Sequence, residues 1–205
     1  MTQDLFDSHA SLRSVHFFHY GSQHFSTLVN MTKLRKLCKN EYHRKFVDFV
    51  ENQLLTKNIP DGYFIERSKR ASGIPEVKSI LDTRPSRYKP IIDAALRNLN
   101  GRERHYVVQK YLVTNSCTDY VVSEFPVWNE YANPPTSGHI DVIEMTEGNP
   151  SIILADYKPW CLQIVPPTGQ LNFYKILFSQ LLEIPFNEIG LLYFDEIAEI
   201  YIVDG

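Results

Sequence analysis

Two aspartates and a lysine come together in the runs Gly138-His-Ile-Asp141-Val-Ile-Glu-Met and Ser151-Ile-Ile-Leu-Ala-Asp156-Tyr-Lys158. Asp156 closes a continuous apolar, β-branched stretch bounded by turn residues, the pattern of a strand at the centre of a sheet. Side chains alternate faces along a strand, so Asp156 and Lys158 project to one side, about 7 Å apart. Glu147, Gly148, Asn149 and Pro150 make a hairpin-length turn back to the preceding strand, whose otherwise apolar Ile-Asp-Val-Ile carries Asp141. Antiparallel pairing brings the two acids together. Carboxylates held close repel and are costly to bury, so such a cluster persists where a cation sits between them. A hard divalent ion with oxygen ligands suits it: Mg²⁺ takes one or two protein carboxylates and leaves its other positions to water and phosphate. A lysine beside that ion offers a point charge to a phosphate oxygen or to an attacking hydroxide. The chemistry described is metal-assisted hydrolysis of a phosphodiester.

Downstream, Gln170-Leu-Asn-Phe-Tyr174 puts Gln170 and Tyr174 one helical turn apart on a single face. Upstream lies Gly101-Arg-Glu-Arg-His105, and before it Pro75-Glu-Val-Lys-Ser79 followed by Ile80 and Leu81. The order of these motifs resembles the PD-(D/E)XK nuclease superfamily, and within it the RecB-like branch, similar to its small exonucleases. The resemblance covers roughly residues 73 to 203. It implies an α/β, restriction-endonuclease-like core: a central mixed β-sheet flanked by helices, with DNA as partner. It further implies that Asp141, Asp156 and the Tyr157 carbonyl hold Mg²⁺ or Mn²⁺, helped by His105, with Glu124 as an additional strand acid. Lys158 would position or activate water, and Gln170 and Tyr174 would orient the substrate. Some relatives carry an iron–sulfur cluster on four cysteines, three of them after the Gln-x-x-x-Tyr helix. No cysteine follows Cys161 here, so no cluster is expected. Two positions depart from the pattern. Pro159 after Lys158 removes a backbone donor and forces the strand to end or bulge at the site; Ile140, rather than proline, precedes Asp141.

Elements that could position these groups are legible around them. Asp119 to Trp128 reads as the first sheet strand, with Val122, Glu124 and Pro126 on one face; Glu124 is either drawn into the site or solvated at an edge. A helix after Gly101 puts His105, Val108 and Leu112 on one face, where a histidine is usually a packed core residue unless the motif gives it a second role. Tyr174 either looks onto the site or joins Leu171, Phe178 and Leu181 in the core. Gly190 to Phe194 and Ile197 to Val203 read as two further strands.

The first part of the chain is read as a mainly helical, basic extension over residues 1 to 72, followed by the nuclease core at 73 to 205. Leu34, Leu37, Phe46, Phe49, Val50 and Leu54 recur at helical spacing from Thr32, a plausible N-cap, to Leu55, with lysines and arginines between them. His16, His19 and His24 invite a zinc reading that no thiolate or carboxylate pattern supports. Pro60-Asp-Gly62 is a turn, with Arg67, Lys69 and Arg70 as a basic tip; Arg84, Arg87, Tyr88 and Lys89 form a second basic loop, and Pro90 opens a helix to Leu99. These loops and Arg102 are the expected DNA contacts, arginine beside an aromatic being suited to unpaired bases as well as phosphate. Two exposed connectors would look the same.

Hydrophobic residues make up 43% and charged residues 22% of 205 residues, an ordinary globular composition. The net charge of −3 conceals a split: residues 1 to 110 hold 19 of the 21 Lys and Arg against 11 acids, and the rest 2 against 13. Affinity for a phosphate backbone follows local cationic surface, so the split suits a basic grip beside an acidic metal site. Cys38, Cys117 and Cys161 form no Cys-x-x-Cys and point to a reducing compartment. With no signal-peptide pattern and no run of membrane-span length, the expected location is cytoplasmic or the DNA-containing compartment of a host, such as a virus or mobile element would use. Two enzyme readings stay open, an exonuclease or single-strand endonuclease and a structure-specific junction endonuclease. A non-catalytic DNA-binding accessory on the same scaffold is the alternative class. A homodimer, common among structure-specific and restriction relatives, could use the N-terminal helix as its interface.

Overall fold

The computed structural model describes residues 11–19, 23–57, 59, 69–70, 80–97, 103–129, 136–159, 161 and 168–203. In chain order its strands are β1 (Leu12–His19), β2 (Gln23–Asn30), β3 (Lys69–Arg70), β4 (Ile80–Pro85), β5 (Tyr120–Asn129), β6 (Thr136–Met145), β7 (Ile152–Tyr157), β8 (Ile189–Phe194) and β9 (Ala198–Val203). Its α-helices are α1 (Met31–Lys36), α2 (Glu41–Phe49), α3 (Lys89–Leu96), α4 (Arg104–Thr114) and α5 (Thr168–Leu182). The fold is α/β. One open sheet runs β1-β2-β5-β6-β7-β8-β9-β4, antiparallel except where β7 pairs with β8 and β3 with β6.

Both faces of the sheet are covered, which explains why every residue of β7 is buried and why its sequence does not alternate. On one face α2, its π-helical continuation Val50–Leu54, and α5 pack on β5 to β8. Phe46, Phe125 and Phe178 meet there with ring centroids 5.6 to 5.7 Å apart. On the other face Ile92 of α3 and Val108, Leu112 and Val113 of α4 close over Val142, Ala155, Tyr157, Leu192 and Phe194. The β7–β8 connection is the crossover through α5 that parallel strands require.

Among the described residues of the expected mainly helical extension, helix occurs at 31–36 and 41–54. Residues 12–19 and 23–30 are strands instead, β2 joining the main sheet through Leu28 and Val29 opposite Ser123 and Val122 of β5. Nor is the helix continuous. Asn30, not Thr32, caps α1 by accepting from the Lys33 amide, and Asn40 caps α2 by accepting from His43. Lys33 turns inward, its ammonium donating to Leu112 O, Thr118 Oγ1 and Tyr120 O, so this lysine anchors α1 to the end of α4 and the start of β5. No described helix is long and apolar enough to cross a membrane.

Candidate active site

β6 changes partners along one edge, and the gap between those partners is where the acids lie. Residues Val142 to Met145 pair with Ala155 to Ile152 of β7, whereas Thr136 and Ser137 pair with Lys69 and Arg70 of β3. Among the described residues, Gly138 to Asp141 therefore have no ladder partner on that edge and sit at an opening in the sheet, β5 closing the other side. One step beyond the Val142–Ala155 pair, Asp141 of β6 faces Asp156 of β7. The ladder gives way here to a side chain: the Tyr157 amide donates to Asp141 Oδ2 at 3.0 Å. β7 ends at Tyr157, two residues before Pro159, although the Lys158 amide still donates to Phe194 O at 2.9 Å.

α4 brings His105 to the same point. His105, Asp141 and Asp156 each offer a ligand atom within 4.8 Å of the others. His105 Nε2 is 3.2 Å from Asp141 Oδ2 and 2.6 Å from the Tyr157 carbonyl oxygen. Lys158 Nζ lies 2.9 Å from Asp156 Oδ1. The sequence placed those two groups on one side of an extended strand, about 7 Å apart at the backbone, and the long lysine side chain closes that distance.

Electrostatics at this point favour a positive occupant. Burial raises the Asp141 carboxyl to about 6, and Glu124 pushes in the same direction while Lys158 opposes it. Asp156, only 4% exposed, is raised well above the carboxylate range by burial and then by the charge of Asp141. Burial works against the Lys158 charge, but Asp156 and Asp141 outweigh it and hold the ammonium above its ordinary range. Two acids that resist ionising together, with a histidine nitrogen and a backbone carbonyl aimed between them, are poised to hold a proton or a cation in its place. The donor set fits a hard divalent ion with one imidazole ligand.

Glu124 faces Asp141 in the β5–β6 register, between the Ser123–Val142 and Phe125–Ile140 pairs. Its backbone is left-handed, φ 52, and Thr27 of β2 pins it by donating to its carbonyl at 2.6 Å. Its carboxylate lies 2.9 Å from His139 Nδ1, so it borders the three-residue cluster without being part of it. From the α5 side, Gln170 Nε2 donates to the Tyr174 hydroxyl at 3.0 Å, and that ring lies against Gly138 at the opening. Tyr174 belongs to the same core cluster as Leu171 and Phe178, while its ring edge borders Gly138.

The expected DNA contacts divide. Arg67 and Arg102 lie outside the described residues, as does the Pro75–Ser79 motif. β3 carries Lys69 and Arg70 to the rim of the opening. Arg84 belongs to β4, Lys89 opens α3 and Arg87 lies in the turn between them; β8 and β9 stand between β4 and β7. The Arg87 guanidinium bonds Glu144 through both terminal nitrogens at 3.1 and 3.0 Å and Glu199 through Nε at 2.8 Å, so much of its fork is engaged within the fold. Arg84 pairs with Asp82 over the Tyr201 ring and Lys89 with Asp93, both at the surface. Two residues at the site escaped the sequence reading: His139, two places before Asp141 and bound to Glu124, and Gln109, one turn after His105 with its amide 3.0 Å from that ring. Helical spacing from His105 was the available signal for Gln109.

No known family, no curated protein and no solved structure matches this chain.

Proposed function

We propose that the protein is a divalent-metal-dependent deoxyribonuclease of the PD-(D/E)XK type, with a restriction-endonuclease-like core. The observation that carries the reading is the convergence of Asp141, Asp156, His105 and the Tyr157 carbonyl at a break in the sheet, with Lys158 against Asp156. Asp141, Asp156, the Tyr157 carbonyl and His105 would hold Mg²⁺ or Mn²⁺. When bound, the ion supplies Lewis-acid activation of water and neutralises charge on the scissile phosphate. Lys158, kept cationic by the two acids, supplies a proton or a positive charge next to that phosphate. Glu124 adds negative charge that favours a cation, and His139 holds that carboxylate in place. Tyr174 and Gln170 form a hydrogen-bonded wall of the opening that orients the incoming strand. Lys69 and Arg70, delivered by β3 to the rim, suit a backbone passing over β6. The resemblance of the motifs to small RecB-like exonucleases favours an exonuclease or single-strand endonuclease over a junction cutter.

End-labelled single- and double-stranded oligonucleotides incubated with Mg²⁺ or Mn²⁺ test the reading. Expected are metal-dependent products from the wild type and a fall of about 100-fold or more in rate for Asp156→Ala and Lys158→Ala, with DNA binding largely kept. DNA that is shifted but never cut, under every metal condition, would replace the nuclease by a binding accessory. Undiminished cleavage by either variant would remove these residues from the chemistry.

A further inference from the structure

Gln109 lies one turn past His105 on α4, with none of its surface exposed. Its Nε2 is 3.0 Å from His105 Nδ1, while its Oε1 is buried with no hydrogen-bond partner among the described residues. Across the ring, His105 Nε2 is 2.6 Å from the Tyr157 carbonyl oxygen and 3.2 Å from Asp141 Oδ2. A carbonyl oxygen can only accept, so His105 Nε2 carries a proton and Nδ1 accepts from the Gln109 amide. In this arrangement the Nε2–H occupies the position, between Tyr157 O and Asp141, that a cation would take.

An imidazole that gives its Nε2 lone pair to a cation must carry its proton on Nδ1, and that proton needs an acceptor. Gln109 is the group facing Nδ1, and the two ends of its amide have nearly the same shape. Turned end for end, the amide presents Oε1 to Nδ1–H, and the oxygen left unmet in the first arrangement is satisfied in the second. The turn exchanges which end of the buried amide is met, NH₂ in the first state and carbonyl in the second, so a glutamine can serve either form of the ring. No net proton is gained or lost: one leaves Nε2 for solvent and one reaches Nδ1 from it, the His105 side chain being 40% exposed.

We propose that Gln109 is a positioning residue that selects the His105 tautomer, its NH₂ holding the Nε2–H form and its carbonyl holding the Nδ1–H form that offers Nε2 to a divalent cation. The proposal rests on the metal reading of the cluster. It differs from a packing role in what Gln109→Glu should do, since a carboxylate can accept from Nδ1 but cannot donate to it, whereas Gln109→Met fills the space and does neither.

Ring-¹⁵N-labelled protein, with His105→Gln used to assign the His105 signal, reports the tautomer, and isothermal titration calorimetry with MgCl₂ reports binding. The wild type should show Nε2–H without Mg²⁺ and Nδ1–H when saturated. Gln109→Glu should protonate Nδ1 before any Mg²⁺ is added and bind it close to wild-type affinity; Gln109→Met should bind Mg²⁺ about 10-fold or more weakly. Circular dichroism checks that both variants fold, and the Glu variant keeps the test alive if the Met variant does not. Persistence of Nε2–H in saturated wild type, or wild-type affinity in Gln109→Met, overturns the role of Gln109 and leaves the metal site standing. Absence of any Mg²⁺ binding to wild type removes the metal site, and the tautomer switch with it.

Discussion

A Cβ added to Gly138 would lie 2.5 Å from Cε1 of Tyr174 and 2.7 Å from its hydroxyl oxygen. The glycine is what lets the α5 ring close on β6 beside the opening. Those contacts are with a ring rather than with the loose end of a chain, so Gly138→Ala must displace Tyr174 or the strand. The expected cost is about 1–3 kcal/mol. In a Tyr174→Ala background the same change should cost distinctly less, because the atom it meets is gone. Equal losses in the two backgrounds, measured by urea unfolding, would deny the contact.

Asp141 and Asp156 set a pH dependence whose sign follows from burial. Burial raises Asp141 to about 6, and burial and the charge of Asp141 raise Asp156 well above the ordinary carboxylate range, so the folded chain holds protons that the unfolded chain releases. Stability without metal is therefore greatest below the ordinary carboxylate range and falls as pH rises through about 6. Asp156→Asn removes one of the repelling charges and should raise the EDTA-treated Tm at about pH 7.5, by roughly 2–4 °C for each kcal/mol recovered. The same variant should lose the Tm gain that Mg²⁺ gives the wild type, a gain larger at about pH 7.5 than at about pH 5. Calorimetric scans of the two proteins across this range check it; a wild-type Tm that tracks the Asn variant throughout would contradict it.

The acid pair was legible because one turn joins its strands: Glu147 to Pro150 and the flanking apolar runs specify a hairpin, and the hairpin specifies that Asp141 meets Asp156. The helices α4 and α5 followed from helical spacing, whereas the place of His105 beside the acids was implied only by the resemblance of Gly101-x-x-x-His105. What the sequence hid depends on distant partners. β1 and β2 mix polar and aromatic residues without alternation, and their state is set by pairing with each other and with β5. Arg87 reads as one more basic loop residue because the acids that claim it lie 57 and 112 positions later. The break between α1 and α2 was written in Asn40, a capping residue passed over in a run that kept its apolar period.

Arg87 should therefore behave as a structural residue. It bridges Glu144 and Glu199, which are 1% and 2% exposed, and joins β6 to β9 across the face that α3 and α4 cover. Tyr88 and Tyr201 donate to the same two carboxylates. Arg87→Ala leaves two buried acids without their cation, an expected loss of about 3–5 kcal/mol. Lysine should rescue little, since it cannot span both carboxylates in a fork. Arg84→Ala and Lys89→Ala, whose ion pairs are at the surface, should stay within about 1 kcal/mol of wild type. Urea unfolding of the four variants orders them, and an Arg87→Ala protein as stable as Lys89→Ala would refute the assignment.

Lys33 gives an opposite pH signature in a separate window. It is buried, and its ammonium is met by three oxygens, yet burial lowers its proton affinity to about 8, the charge of Asp119 opposing that only in part. Between about 8 and the ordinary lysine range the unfolded chain holds the proton more firmly than the folded one, so this residue's contribution rises with pH. Lys33→Met removes the titrating group but leaves Tyr120 O without its donor. The wild type should accordingly gain stability relative to Lys33→Met as pH climbs from about 7.5 to about 10, the difference between the two proteins cancelling the tyrosines that titrate above that range. Paired thermal melts at intervals of pH read that difference directly. A gap that stays constant would mean that the ammonium keeps its charge at no cost inside the fold, with its three acceptors replacing water in full.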